Sequence, residues 1–334
     1  MEQKPLQVNI TNPHFRPNTL TDEKDIVFNF MLPGKPTAAM GDMICWLSAI
    51  KYAADNYNFV RGHLIVPNFF LGIAANVLHG YDNWEIHADS VPKKLQGGLP
   101  LKQQVLHPIN ATGAHLVDLG YMYFMNITTP VDGGLYPELN WEDTDVELPK
   151  KLRGEKYVVM TPVIGAITRM MPAETYNGIV DHVLSMGLTP VHLGRRTMQG
   201  RNLVVREDYD LSGIDLLDQT TLKEAAWIMK HALVTVGIDN GLLHLAAMTD
   251  ASIVYGYTIA GPRQRRIRRR SGDTFEVFAD KSEVPCLFCQ EHVRFLVNHD
   301  FKNCLYKDEV PKCIEGIKKW QWVKAINMAI RDKL

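Results

Sequence analysis

The residues best suited to chemistry lie in one turn between an apolar strand and an apolar helix. The turn reads Gly-Ile-Asp-Asn-Gly over residues 237–241, and either Asp239 or Asn240 is placed to cap the helix that follows. Free backbone N–H groups and the positive end of the helix dipole make such a helix start an anion site. His244 lies one turn later, where it either bonds within the core or reaches a phosphate. The turn therefore predicts that an anionic group binds beyond the carboxyl end of the strand.

Four of the five cysteines fall close together in the pattern C-x2-C-x14-C-x8-C. They are Cys286, Cys289, Cys304 and Cys313. In a reducing compartment this clustering favours metal thiolates, with free thiols and disulfides as the alternatives. Four thiolates suit iron or zinc and leave no open coordination position, so we expect a structural metal and not a catalytic one.

Composition places the chain among ordinary globular proteins. It has 334 residues, of which 46% are hydrophobic and 22% charged, and its formal net charge is -1. This balance excludes a general attraction to nucleic acid or to anionic membranes, so any such binding has to be local. No signal peptide and no transmembrane segment is recognisable, and we expect a cytoplasmic protein.

Strand and helix patterns alternate twice along the chain, on either side of a charged stretch at residues 140–155. The alternation predicts an α/β protein built from two Rossmann-like domains. We place the first domain at residues 1–148 and the second at residues 149–311. The cysteine cluster forms a finger at residues 286–313, and a C-terminal helix at residues 312–334 returns to the first domain. Two such domains facing each other would enclose a cleft, the usual ligand site of open α/β sheets.

Three motifs, taken together, identify a family. They are residues 237–247 with the following Tyr255-Gly256 and Gly261-Pro262, the pair Gly41-Asp42 that opens the first helix, and residues 168–172, Thr-Arg-Met-Met-Pro. They resemble glycosyltransferase family 9, the heptosyltransferase-like enzymes with the two-domain GT-B fold. The chain departs from the family pattern at Asn240, where Thr is usual, at Arg169, where Lys is common, and at Met171, where Trp is usual.

The resemblance implies transfer of a sugar, with inversion, from a nucleotide-diphosphate donor to an acceptor hydroxyl, and a heptose is one candidate for the sugar. Asp42 would be the catalytic base on the acceptor side, with a helix cap as its alternative role. The residues implied at the donor are Thr168, Arg169, Gly194, Arg195, Asp239, Asn240, Gly241 and His244. No catalytic metal or other catalytic cofactor is implied, because arginines and helix N–H groups would neutralise the diphosphate.

The cysteine finger resembles the C-terminal iron site of heptosyltransferase-like enzymes that glycosylate bacterial autotransporter proteins and form large oligomers. This chain lacks a clear counterpart of the additional N-terminal domain of those enzymes. A homo-oligomer is therefore an open alternative and does not follow from the resemblance.

Six arginines within residues 263–270 predict a further phosphate contact, because cations at this density repel one another unless an anion is close. A solvated loop is the alternative. The anion would be the donor diphosphate, an anionic lipid-linked acceptor or nucleic acid, so the acceptor class stays open between a glycan, a lipid-linked sugar, a protein and modified DNA. A nucleotide-sugar epimerase and a non-catalytic scaffold are the rival functions.

Overall fold

Two parallel β-sheets carry the fold of this chain, as seen in a computed structural model. The structure describes residues 26–32, 35–36, 39–59, 61–90, 92, 115–125, 134–141, 146–162, 166–196, 205–291, 304 and 310–334. Its strands are β1 (Ile26–Asn29), β2 (Met31–Leu32), β3 (Lys35–Pro36), β4 (Gly62–Val66), β5 (Trp84–Ala88), β6 (Tyr157–Met160), β7 (Thr189–His192), β8 (Ile214–Asp215), β9 (Val234–Ile238), β10 (Ile253–Gly256) and β11 (Thr274–Val277). The first sheet has the order β1-β4-β5 and the second β11-β10-β9-β6-β7-β8, with all neighbouring strands parallel. Only the small β2-β3 pair is antiparallel among the described strands.

The helices connect these strands as the alternating pattern predicts. They are α1 (Met40–Asn56), α2 (Leu71–Val77), α3 (Leu116–Met125), α4 (Ala173–Ser185), α5 (Leu222–Lys230), α6 (Gly241–Ala246), α7 (Pro262–Arg265), α8 (Lys312–Glu315) and α9 (Lys319–Ile330). The predicted α/β class with parallel sheets is therefore confirmed. Within the described residues, none of these helices is long and apolar enough to cross a membrane.

An aromatic core joins the first sheet to its helices. The ring of Phe28 on β1 lies 5.2 Å from that of Phe124 on α3, and the ring of Phe30 lies 5.9 Å from that of Trp46 on α1. Edge-to-face contacts of this kind add to the free energy gained by burying the rings themselves. The core thus fixes the start of α1, and with it Asp42, relative to the sheet.

In the second sheet, β9 and β10 are interior strands and are buried along their whole length. Continuous apolar strands of this kind are typical of parallel sheets covered by helices on both faces. Strand β9 ends at Ile238, and the chain passes directly through Asp239 and Asn240 into α6. The turn that is predicted to bind an anion therefore lies at the carboxyl end of the parallel strands.

The start of α1 packs directly on the start of α6, so the two halves touch beside this turn. A Cβ atom added to Gly41 would lie 2.7 Å from Cδ2 of His244. One added to Gly241 would lie 2.5 Å from Cε of Met40 and 3.3 Å from the backbone N of Gly41. Glycines at both positions permit this close approach, which a larger residue would prevent.

The C-terminal helix differs from the prediction in both shape and position. It divides at Gly316 into α8 and α9, because the chain leaves the helical conformation before Lys318. Helix α9 packs on α4, β9, β10 and β11, and Trp322 fits against Gly256, where an added Cβ would lie 2.4 Å from the indole. The expectation that this helix returns to the first domain was wrong, since its apolar face completes the core of the second sheet.

Some predicted features lie outside the described residues, and some observed elements were missed. The short strands β8 and β11 and the single-turn helix α7 had no counterpart in the prediction, since two to four residues give little periodicity. Residues 142–145 of the predicted linker and most of the cysteine finger, at 292–303 and 305–309, are outside the description. The domain limits at residues 148 and 311 stay predictions.

Candidate functional site

The turn after β9 has the geometry of a capped helix start. The side chain Oδ1 of Asn240 accepts hydrogen bonds from the backbone N–H groups of Leu242, at 2.9 Å, and of Leu243, at 3.2 Å. The predicted cap is thus Asn240 and not Asp239. Because two of the amides expected to hold an anion already bond to the cap, the helix start is a weaker anion site than the sequence suggests.

Asp239 lies at the centre of a buried charged cluster. Its Oδ1 accepts the hydroxyl of Tyr255, and its Oδ2 lies 3.5 Å from Nε of Arg169 and 3.9 Å from Nε of Arg265. Burial alone would raise the pKa of Asp239, but Arg169, Arg265 and His244 outweigh it and hold that pKa well below its usual range. Asp239 is therefore a carboxylate at neutral pH.

Arg265 links this cluster to the first half of the molecule. Its Nη1 donates to Oδ1 of Asp42 across 3.1 Å, and its side chain is only 9% exposed. Burial disfavours the charge of Arg265, but the carboxylates of Asp239 and Asp42 outweigh this and raise its pKa above the ordinary value. Asp42 thus lies at the contact between the halves, as the first residue of an ion-pair chain that runs through Arg265 and Asp239 to Arg169.

His244 is a buried member of the same cluster. Its Nδ1 lies 2.8 Å from the hydroxyl of Tyr136 and 3.8 Å from Sγ of Cys45, while its Nε2 lies 3.4 Å from Oδ1 of Asp239. Burial opposes protonation, but Cys45 and Asp239 together raise the pKa of His244 to about 9. Both ring nitrogens face protein groups, which agrees with the core interpretation of His244 and not with a phosphate ligand.

Arg169 and Thr168 lie together in the short 3-10 turn Ile167–Arg169. The carbonyl of Thr168 accepts the hydroxyl of Thr258 at 2.7 Å, which anchors the turn beside β10. The side chain of Arg169 is 28% exposed, so it faces both Asp239 and solvent. The structure therefore brings together Arg169 and Asp239, two of the predicted donor residues.

Three buried atoms of this cluster have unmet hydrogen-bonding capacity among the described residues. They are Nε of Arg169, Nε of Arg265 and Oδ2 of Asp239. Buried polar atoms without partners carry a free-energy cost, and they commonly mark a site for water or a ligand. A cavity of about 10 Å³ beside Arg169 and Gly237 is lined by residues of the second half and has room for about one water molecule.

Gly194 and Arg195 lie elsewhere on the same sheet edge. Gly194 follows β7 with a φ of 139°, a conformation that favours glycine, and Arg195 is exposed. Strand β7 is separated from β9 by β6, so these residues lie two strands away from Asp239. No described contact joins them to the ion-pair chain, and their donor role stays a prediction.

The arginine run is mostly neutralised by the protein itself. Besides Arg265, the run forms ion pairs from Arg266 to Glu276 and from Arg268 to Asp118, and Arg269 donates to backbone carbonyls. The anions that the charge density predicts are therefore largely carboxylates of this chain. The expectation that residues 263–270 contact a phosphate or nucleic acid stays a prediction.

Sequence reasoning missed most partners of the predicted site residues. Arg265 was one of six similar arginines, and Tyr136 and Cys45 belonged to no motif. Tyr255 was part of a family motif but had no role assigned to it. The available signal was weak: Arg265 follows Pro262 in the loop after the second-domain strand β10, at the same sheet edge as Asp239.

The four cysteines are suitable metal ligands, but their sulfur atoms are farther apart than in an ion-bound site. Burial, with Cys286 and Cys304 adding to it, raises the pKa of Cys289 to about 11. Burial and the other three thiols raise the pKa of Cys313 to about 12. Thiolates that oppose one another's ionisation in this way need a nearby cation to form. Within the described residues, however, no three of these sulfur atoms lie within 4.8 Å of one another, so a bound ion would have to draw them together.

Residues 115–265 match the family model for glycosyltransferase family 9 (heptosyltransferase). The resemblance to this family is confirmed. The matched segment contains most of the ion-pair chain, from Arg169 through Asp239 to Arg265, whereas Asp42 lies before it. No curated protein matches the chain.

Solved structures of glycosyltransferases share this fold. The dodecameric iron-containing glycosyltransferase TibC of enterotoxigenic E. coli H10407 has a TM-score of 0.69 and 16% identity, over 95% of this chain and 78% of its own. A family 9 glycosyltransferase of Veillonella parvula DSM 2008 has a TM-score of 0.59 and 11% identity, over 95% and 99% of the two chains. The ADP-heptose lipopolysaccharide heptosyltransferase II of E. coli has a TM-score of 0.56 and 12% identity, over 94% and 99%. TibC is also known in complex with ADP-D-beta-D-heptose.

Proposed function

We propose that this chain is an inverting glycosyltransferase that takes a sugar from a nucleotide-diphosphate donor, with ADP-heptose as the first candidate. The observation that carries the proposal is the ion-pair chain from Asp42 to Arg169 at the carboxyl edge of β9. It joins an acidic residue of the first half to two arginines of the second. The ADP-heptose complex of TibC and the name of heptosyltransferase II support this choice of donor.

The donor diphosphate would bind at Arg169 and Arg265. Their Nε atoms are buried and make no hydrogen bond within the described residues, and guanidinium groups pair well with phosphate oxygens. Oδ2 of Asp239, the third such atom, would accept a hydroxyl of the sugar. Two guanidinium groups can stabilise the departing diphosphate, so the scheme needs no catalytic metal or other catalytic cofactor.

Donor binding would also free Asp42, the proposed base, from its ion pair with Arg265. In this structure Nη1 of Arg265 bonds to Oδ1 of Asp42, and this bond joins the two halves. The two domains would therefore open as a GT-B pair around a cleft, and Arg265 would move from Asp42 to the diphosphate. Asp42 would then face the acceptor without its guanidinium partner.

The reaction would be a single displacement. Asp42 accepts the proton of the acceptor hydroxyl while that oxygen forms a bond to the anomeric carbon. The bond from this carbon to the diphosphate oxygen breaks, and the nucleoside diphosphate leaves with the bonding electrons. Attack on the side opposite the leaving group inverts the anomeric centre. The acceptor would be a glycan, a lipid-linked sugar, a protein or modified DNA, and the pairing of Arg266 with Glu276 and of Arg268 with Asp118 favours the first three.

The experiment that tests this mechanism compares Asp42→Asn with Asp55→Asn. Asp55 lies on the same helix, is half-exposed and pairs with Lys51, so it controls for loss of a carboxylate on α1. With ADP-heptose and an acceptor hydroxyl library, D42N should lose at least about 100-fold in kcat, the usual minimum for a general base, with donor affinity within a few-fold of wild type. Equal activity of D42N and D55N would refute the base role. Turnover of the donor sugar without an acceptor would identify an epimerase.

We also propose that the four cysteines hold a structural iron or zinc ion. The support is the C-x2-C-x14-C-x8-C spacing of the cysteines, which suits four thiolate ligands of one ion. Elemental analysis of protein purified without added metal should find about one ion per chain, and its chelation should lower Tm. Metal-free protein with unchanged Tm would contradict the proposal.

A further inference from the structure

Two histidines and a glutamate converge on the first sheet, away from every motif that the family resemblance explains. His63 lies on β4, and Glu85 and His87 lie on the adjacent strand β5. The strands are parallel and His63 pairs with Glu85, so all three side chains project from the same face of the sheet. Nδ1 of His63 lies 3.1 Å from Nε2 of His87, and each nitrogen lies 3.6 Å from Oε2 of Glu85.

We propose that His63, Glu85 and His87 bind a divalent transition-metal ion, with Zn²⁺ the best match. In a tetrahedral zinc site the bonds to nitrogen and oxygen are about 2.0–2.2 Å long, which places neighbouring ligand atoms about 3.3–3.6 Å apart. The three observed separations fall close to this range. A point about 2.0–2.2 Å from all three atoms lies at or just above the centre of the triangle they form, so an ion fits with small side-chain movements.

The donor set agrees with this geometry. Two imidazoles and one carboxylate form a ligand set that zinc and ferrous iron use in proteins, with at least one further position left for water or another ligand. A hydrogen bond between the two histidines would account for their 3.1 Å contact. It would not account for a carboxylate oxygen at the same distance from both nitrogens.

The surroundings combine a fixed ligand with access from solvent. The side chain of His63 is 1% exposed, that of His87 17% and that of Glu85 40%. Burial of His63 holds one ligand nitrogen in place. The more exposed His87 and Glu85 leave the site open to an ion from solvent.

This site is separate from the proposed catalytic residues and from the cysteines. Leu64 and Val66, which alternate with His63 along β4, join the apolar core together with residues of α1. His63 therefore faces away from that core, on the opposite face of the sheet. Binding of metal here is independent of the sugar-transfer mechanism.

The test measures metal binding by the full chain and by three variants. Chelator-stripped protein is titrated with Co²⁺ and with Zn²⁺, and the bound ions are counted by elemental analysis. His87→Gln should lose one equivalent of metal and bind at this site at least about 100-fold more weakly, since even weaker perturbations around metal ligands cost 10–100-fold. His79→Gln, a change at an exposed histidine of the same half, should keep the wild-type stoichiometry.

Thiolate-to-cobalt charge-transfer absorption separates this site from the cysteines, because only sulfur ligands produce it. That absorption should be the same in wild type and in H87Q. Glu85→Gln, at a more exposed ligand, provides a second variant if H87Q does not fold, and should also bind more weakly. Equal metal content and affinity in wild type, H87Q and E85Q would overturn the proposal.

Discussion

Arg265 is the residue on which the candidate site most depends. It lies between the carboxylates of Asp42 and Asp239, and it is nearly excluded from solvent. The cost of placing a guanidinium there is offset only while both carboxylates stay paired. Together with Arg169 and His244, Arg265 also keeps Asp239 ionised.

Arg265→Gln should therefore destabilise the protein strongly. The substitution leaves the carboxylates of Asp42 and Asp239 without the Arg265 guanidinium. Breaking a buried ion pair in this way costs about 3–5 kcal/mol of stability. Arg266→Gln is the matched control, since Arg266 is 60% exposed and its surface pair with Glu276 is expected to contribute about 1 kcal/mol or less. Urea unfolding of the two variants measures the difference. Similar free energies of unfolding would show that Arg265 is not held as a buried pair.

His244 predicts a specific dependence of stability on pH. Its pKa is about 9 in the folded protein against an ordinary value of 6.5, so the folded state binds the proton more tightly. The resulting stabilisation is complete below pH 6.5 and is lost as the pH rises through 9. Its size is roughly 3 kcal/mol. Urea unfolding between these limits should show the loss in wild type and a flatter profile in His244→Gln, and parallel profiles would contradict the assignment.

At the scale of elements, the site depends on how closely α1 approaches α6. Gly41 faces the ring of His244 and Gly241 faces Met40, so neither helix start tolerates a Cβ at these positions. In the sequence, Gly41-Asp42 and the turn at residues 237–241 are separate motifs. The structure shows that they are the two sides of one contact.

Gly41→Ala should separate the two helix starts. Its Cβ would lie 2.7 Å from the His244 ring, and overpacking of this kind costs about 1–3 kcal/mol. Gly72→Ala is the control, because nothing lies within 4 Å of the added Cβ in helix α2. There alanine should be neutral or stabilising by up to about 1 kcal/mol. The Tm and the transfer activity should both fall in G41A and stay unchanged or rise slightly in G72A. Equal Tm and activity of the two variants would argue against the close contact.

Sequence periodicity was sufficient to predict most helices and strands, but it was insufficient to predict the contacts between them. The apolar run of β9 and the helical spacing of α1 predicted both elements, because each depends on neighbouring residues. The bond between Asp42 and Arg265 joins positions 223 residues apart, and only the packing of the two halves brings them together. For the same reason the apolar face of α9 predicted a packed helix but not which sheet it covers.

At the scale of the whole molecule, the two halves meet at a junction where α6, which follows β9, packs on α1. The ion-pair chain crosses this junction. The fold is shared with glycosyltransferases such as TibC, although identity is 16%. In the present arrangement the junction is closed by Asp42 and Arg265. The proposed function therefore requires that a donor open this junction and replace one ion pair with another.

The most direct test of this account is calorimetric titration of the protein with ADP-heptose, using Arg169→Met and Arg196→Met as paired variants. Arg169 faces Asp239 in the cluster, whereas Arg196 lies at the same sheet edge, 47% exposed and paired with Asp215. Wild type and R196M should bind the donor alike, and a donor at 100 times its Kd should stabilise them by about 2.7 kcal/mol. R169M should bind at least about tenfold more weakly, as expected for loss of a charge-assisted contact worth 1.4 kcal/mol or more. Absence of binding by wild type to ADP-heptose and to other nucleotide sugars, or equal affinity of R169M and R196M, would contradict the account.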